Sequence, residues 1–288
     1  MLDFRYHVAS LAAVFFALVL GIVVGVGISG RGFVDKSERQ KLENRNDRLQ
    51  ARLDDVSADN DALRQQQRTG RVFMTGAYPL LMRNRLDGKS VAVVVIGGAA
   101  GATGSDVQQS LTDAGAAVTR YRALMLPVQT RAVRQALAHV PGFRKLEDAG
   151  QELAQEWVTG GRTPVADALT DVIVEEQRGD GAAPVDGVVV IQAEEPRDPS
   201  SLRFVDGLYG GLATAGIPVV GVERTRSDPS SVAVFAAHGG FSTVDDVDTP
   251  YGRLALALLL GGAAPGNFGV KTTADAPLPP IVEPSPSG

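Results

Sequence analysis

From Val8 to Ile28 the chain carries no charged residue; the run reads VASLAAVFFALVLGIVVGVGI. An apolar stretch of about 20 residues is the length a helix needs to cross the hydrocarbon core of a bilayer. A signal-peptide core is shorter and ends at a small-x-small site. Here the run has full spanning length, and Gly25-Val26-Gly27-Ile28-Ser29-Gly30 is only a loose cleavage match. Residues 1–30 therefore read as a retained transmembrane anchor, with Phe4 and Tyr6 beside Arg5 where interfacial side chains belong. Orientation stays open from charge alone. Arg5 precedes the span, while Arg31, Lys36, Arg39, Lys41 and Arg45 follow it, mixed with Asp35, Glu38, Glu43 and Asp47. Counted without regard to that mixture, the basic residues put the bulk of the chain in the cytoplasm.

Small residues recur at every fourth position of the anchor: Ala9, Ala13, Ala17, Gly21, Gly25 and Ser29. They share one helix face, and in lipid such a face lets two backbones approach closely. The plainer account is that Gly and Ala are common in spanning helices. Residues 31–70 repeat the theme in water. Leu42, Leu49, Val56 and Leu63 lie one heptad apart as d positions, with Asn46, Leu53, Asn60 and Gln67 at a. Leu at d with isolated Asn at a resembles the seam of a parallel two-stranded coiled coil, where a buried Asn costs stability and fixes register. The polar a positions make this a weak zipper; the alternative is one amphipathic helix lying on the rest of the chain. The expectation is a parallel homodimer, joined through Ala13, Ala17, Gly21 and Gly25 in the anchor. In the stalk the joining residues are Leu42, Asn46, Leu49, Leu53, Val56, Asn60 and Leu63.

A linker at residues 71–89 leads to a head at 90–273, where strand-like and helix-like segments alternate. Val91–Ile96, Ala117–Arg122, Gly187–Ile191 and Ile217–Val222 read as strands, and Ser231–Ala236 as a fifth. Helical stretches fall at Ser105–Asp113, Thr130–Glu176 (broken at Pro141-Gly142 and Gly160-Gly161) and Ser201–Ala215. Asp248-Thr249-Pro250, an Asp or Thr cap with Pro at the first helical position, starts another through Leu260, too short to span a bilayer. The fold class expected is α/β: a transmembrane helix, a coiled-coil stalk and a Rossmann-like, doubly wound parallel-sheet head. Residues 274–288, rich in Pro and Ser, read as a disordered tail.

Composition narrows the chemistry. A formal charge of -5 with scattered Lys and Arg argues against a nucleic-acid partner. The absence of cysteine removes disulfides, thiolate metal sites and Cys nucleophiles. Gly97-Gly98-Ala99-Ala100-Gly101-Ala102-Thr103-Gly104 follows the first strand and opens a helix, where a phosphate would sit. Its spacing is not GxGxxG, and Arg120 and Arg122 end the second strand in place of a ribose-binding acid, so a plain Gly-rich crevice loop is the better reading. Gly98, Gly101, Gly104, His238, Asp245 and Asp248 form the candidate crevice set, with Glu194, Glu195 and Glu223 beside it. His238 reads more as a loop or core histidine than as a ligand, and Asp245, Asp246 and Asp248 more as helix caps than as a cation site. No cluster among His7, His139, His238 and the four methionines has transition-metal spacing. No nucleophile has a paired base, so neither catalytic residues, an enzyme activity nor a cofactor is expected.

Two stretches carry a family resemblance. Phe4-Arg5-Tyr6-His7-Val8, Ser10-Leu11-Ala12-Ala13-Val14-Phe15 and Leu20-Gly21 resemble the opening of the actinobacterial MctB-type copper transporter family. Ser242-Thr243-Val244-Asp245, Val247-Asp248-Thr249, Gly252 and Leu254-Ala255 resemble its second recurring stretch. The resemblance implies a cell-envelope membrane protein linked to copper export, with copper as the transported species and the head outside the cytoplasm. It also implies a second envelope or membrane protein as partner, since relatives are connected to cell separation as well. That connection leaves a non-transport scaffold or regulator of envelope remodelling as the alternative. It carries over no metal ligands.

Overall fold

The structure is a computed structural model that describes residues 4–29, 33–143, 145–179 and 181–281. The chain divides into two units, Met1–Gly70 and Arg71–Gly288. Two long helices open it, α1 (Phe4–Ser29) and α2 (Phe33–Met82). Within α1, Tyr6–Gly27 has a mean hydropathy of 2.7 and none of it is buried. Among the described residues it is the one helix long and apolar enough to cross a membrane. A Cβ added at Gly21 or Gly25 would meet nothing within 4 Å. In the first unit α2 is equally bare: Leu42, Leu49, Leu53, Val56 and Leu63 are 57–67% exposed.

The second unit is built on a seven-stranded sheet. Its strands are β1 (Ser90–Ile96), β2 (Ala117–Leu124), β3 (Val174–Arg178), β4 (Gly187–Gln192), β5 (Val219–Val222), β6 (Phe241–Val244) and β7 (Asn267–Phe268). Their order is β3-β2-β1-β4-β5-β6-β7, parallel throughout except for the antiparallel β2–β3 edge. Strand β1 is buried from Val91 to Ile96, which is why its sequence is a β-branched run rather than an alternation. Ala92, Val94 and Ile96 point into one apolar layer, Val91, Val93 and Val95 into the other.

Helices α4 (Thr130–Ala136), α5 (Leu146–Thr159), α6 (Pro164–Ile173) and α7 (Pro199–Ala213) cover the first face. Helices α3 (Gly101–Ala114) and α9 (Pro250–Leu260) cover the second, joined by Met74, Met82 and Leu86 from the last turns of α2 and just beyond. The starts of these helices are encoded locally. Asp198 accepts from the amides of Ser200 and Ser201 at the head of α7, and Thr249 accepts from Gly252 N–H at 3.0 Å at the head of α9. Both helices then place Pro in their first turn, where no donor is lost.

Three expectations need correction. Ser231–Ala236 is not a strand: Val232–Ala236 forms the short helix α8, with Val232 and Phe235 buried at a three-residue spacing. A short apolar run does not distinguish the two states, and the ring of Phe235 claims the space a side chain at Gly221 of β5 would fill. The parallel strand of that region is β6, ten residues farther on. Inside the stretch read as helical to Glu176 lies β3, whose polar Glu-Glu-Gln-Arg sequence suits a solvated edge strand. The Pro-rich end is anchored where it begins: Gly269 N–H donates to Ala276 O at 3.1 Å, and Leu278 packs on the second apolar layer. The rest of the expected tail, 282–288, lies outside the described residues.

Helices α5 and α7 approach closely because glycines face each other's backbone. A side chain at Gly207 would collide with the carbonyl of Glu147, and one at Gly211 would lie 2.8 Å from Ala154 Cβ. Gly210 on the same helix has open space. Gly207→Ala is expected to destabilise the head by roughly 1–3 kcal/mol through overpacking. Gly210→Ala is expected to stabilise it by up to about 1 kcal/mol through helix propensity. Chemical denaturation of both variants checks this; equal effects would contradict the close-packing account.

Candidate functional site

Chain order along the sheet reverses between β1 and β4, and ligands in open α/β sheets bind outside the strand carboxyl ends at such a switch point. A crevice of about 480 Å³ lies there, at the ends of β1, β4 and β5. One wall is the loop entering α3. Gly97 and Gly98 take φ of 87° and 90°, and both amides donate to Leu124 O at 2.9 Å. A Cβ at Gly97 would collide with Glu194, so the β1 and β4 loops touch through this glycine. Ala100 caps α3 with no side-chain acceptor, which leaves backbone donors at the wall formed by Ala99, Ala100 and Thr103.

The opposite side carries Glu194, Glu195 and Arg197 after β4, and Glu223, Arg226 and Asp228 after β5. Glu223 is buried and fully engaged. It accepts from Ser230 Oγ at 2.7 Å and from Ser231 N–H and Oγ at 2.6 and 3.0 Å, and it pairs with Lys271 Nζ. The exposed charges on the rim are of both signs, so the crevice has no single electrostatic preference.

The sequence-predicted crevice residues fall around this opening rather than in it. Gly98, Gly101 and Gly104 shape the loop whose alanines line the crevice. Asp245 accepts from the amides of Val270 and Lys271 at 2.8 and 3.1 Å, tying the last segment to the end of β6. Asp248 accepts from Thr225 N–H at 2.7 Å and Thr225 Oγ1 at 2.9 Å. His238 lies elsewhere: it bonds Asp206 at 3.1 Å and Val234 O at 3.0 Å, with its ring edge-on to Tyr209. Arg120 and Arg122 are buried, and both donate to carbonyls of the loop after β3. Glu194, Glu195 and Glu223 do line the crevice. Arg197, Arg226 and Asp228 escaped the sequence reading because they sit in loops without pattern; their position after Val-rich strands was the available signal. Among the described residues no group of three or more His, Asp or Glu side chains is arranged to hold a metal ion.

A model of the family described as "Copper transport outer membrane protein, MctB" matches residues 1–279. The chain belongs to the MctB family. It is 26% identical to proteins named Copper transporter MctB from Mycobacterium bovis and from two strains of Mycobacterium tuberculosis. Each alignment covers 93% of this chain and 96% of the relative. The MctB family match includes both the anchor and the Ser242–Ala255 stretch, so the acids of that stretch bear closer inspection.

The stretch contains the least comfortable carboxylate of the head. Asp246 is fully buried; Oδ2 accepts from Thr249 Oγ1 at 2.9 Å, whereas Oδ1 has no partner among the described residues. Burial raises its pKa to about 6, with Asp245 and Asp248 adding to the shift against the Thr249 hydrogen bond. Burial also pushes on Asp248, but the Thr225 hydrogen bonds outweigh it and hold that carboxyl below its usual range. The consequences for stability are opposite. A raised carboxyl favours the folded state as it takes up its proton, so Asp246 costs most above pH 6, and the cost fades as pH falls toward its unfolded value. Asp246→Asn keeps an oxygen for Thr249 and removes the unpaired buried charge. It should stabilise the protein by on the order of 1 kcal/mol at pH 7.5, with a smaller gain at pH 4.5, in thermal unfolding. A loss of stability at pH 7.5 would contradict this reading.

Proposed function

We propose that this chain is a single-pass, dimeric envelope protein that serves copper export or homeostasis as part of an assembly, with no enzymatic activity and no resident cofactor. The observation that carries the proposal is the family match together with one apolar helix from Tyr6 to Gly27 that has no protein to bury against. One spanning helix cannot enclose an aqueous path. Copper(I) prefers soft sulfur donors, yet the chain has no cysteine and four methionines, of which, among the described residues, Met74 and Met82 are core residues and Met125 stands alone at the surface, 37% exposed. Copper is therefore cargo of the assembly rather than a ligand held by this head.

The dimer reading is supported by two exposed faces. The small-residue face of α1 has room for a second backbone at Gly21 and Gly25, and the heptad leucines of α2 stand uncovered. We read α2 in the first unit as a parallel coiled coil and the second unit as a Rossmann-like, doubly wound head. The head lies outside the cytoplasm on this reading, where it meets a second envelope protein. The poverty of soft donors also favours a second reading, a scaffold or regulator of envelope remodelling and cell separation.

A deletion strain distinguishes these two. Cell copper should rise above wild type on copper addition, and a plasmid copy should restore it. Unchanged copper with chained or misshapen cells would reject the transport role in favour of the scaffold. For the dimer, the full chain in detergent should sediment as two copies, and joint Asn46→Leu and Asn60→Leu replacement should shift it to larger assemblies. A monomeric wild type would remove the dimer from the proposal.

A further inference from the structure

Helix α5 carries Asp148, Glu152 and Glu156 four residues apart, so three carboxylates share one face. Like charges at this spacing oppose one another. They border a groove of about 640 Å³ whose other wall is apolar, formed by Pro141, Phe143 and Val165. Among the described residues that line it, His139 is the one basic side chain; none is a lysine or arginine.

The three acids differ in what occupies them. Glu156 is buried and accepts from the amides of Val165 and Ala166 at 3.0 and 2.7 Å, so it belongs to the fold at the start of α6. Burial pushes its carboxyl above the ordinary range, and after the opposing effect of the two amides, Glu152 and Asp167 push it further. Asp148 gives one oxygen to the Lys145 amide at 3.1 Å, and Glu152 makes no ion pair among the described residues. Both are exposed at the groove edge, beside a wall on which an apolar side chain can lose water.

We infer that this groove docks a basic peptide segment of a partner protein. Its lysine or arginine side chains lie along Asp148 and Glu152, and an apolar residue seats against Pro141 and Phe143. Charge complementarity selects this occupant: a cation relieves the crowding along α5, whereas an acidic segment adds to it. The inference names a partner chemistry for the head and stands whether the assembly handles copper or remodels the envelope.

The full chain in neutral detergent micelles is titrated into a short fluorescein-labelled lysine–leucine peptide, followed by fluorescence anisotropy. A glutamate–leucine peptide serves as the counter-probe. Saturable binding of the basic peptide is expected, weakened at least tenfold by Glu152→Gln and by Phe143→Ala. It should be unchanged by Asp206→Asn, an exposed acid on α7 away from the groove. Circular dichroism confirms that Glu152→Gln, a surface change, leaves the fold intact. Absence of binding to the wild type, or equal affinity for Glu152→Gln and Asp206→Asn, would overturn the inference, as would equal binding of the glutamate–leucine peptide.

Discussion

Lipid is the solvent that Tyr6–Gly27 requires. The helix is apolar around its whole circumference, and none of the described residues covers it. Its backbone groups are satisfied internally, which is the condition for lying in a hydrocarbon layer. On the proposed reading this helix tethers the head to the membrane. A tethered head diffuses in two dimensions, meets a restricted set of partners, and gains effective concentration toward any second copy. Transport, on that reading, is the work of an assembly, since a single spanning helix has no interior to line.

The head is held by close packing in its layers and by polar side chains where its loops converge. Its sheet is buried on both faces, and α5 and α7 meet through glycines that tolerate no added side chain. At the strand carboxyl ends the polar side chains are largely spent on holding loops. Glu223 fixes Ser230, Ser231 and Lys271; Asp245 fixes residues 270 and 271; Asp248 fixes Thr225. The acids of the Ser242–Ala255 stretch are therefore explained by architecture, with Asp246 the exception that is buried short of a partner.

How much of this was legible in the sequence depended on how local the signal was. Strands β1, β4 and β5 were plain because burial on both faces demands unbroken apolar runs, and the Tyr6–Gly27 helix was plain from the length of its apolar run. The start of α9 was plain because Thr249 and Pro250 encode it in two residues. The run Ser231–Ala236 misled because five residues of a helix and of a strand bury the same side chains, and only the neighbouring Gly221 decides between them. Strand β3 was hidden because an edge strand with one solvated face looks like polar helix. The site was the least legible part. Glu194, Glu195 and Glu223 could be placed from strand ends, but His238 and Asp245 took their positions from tertiary contacts that no short motif records.

The proposed dimer places two copies of this chain side by side on a shared membrane tether. The absence of cysteine makes one experiment especially direct. A single cysteine is placed at Leu49, on the heptad seam, or at Ala51, on the outer face, and membranes are oxidised after an alkaline wash. The account predicts washed membranes that retain the protein, with disulfide-linked dimer from Leu49→Cys and little from Ala51→Cys. Release of the protein by the wash, or equal yields from the two positions, would contradict it.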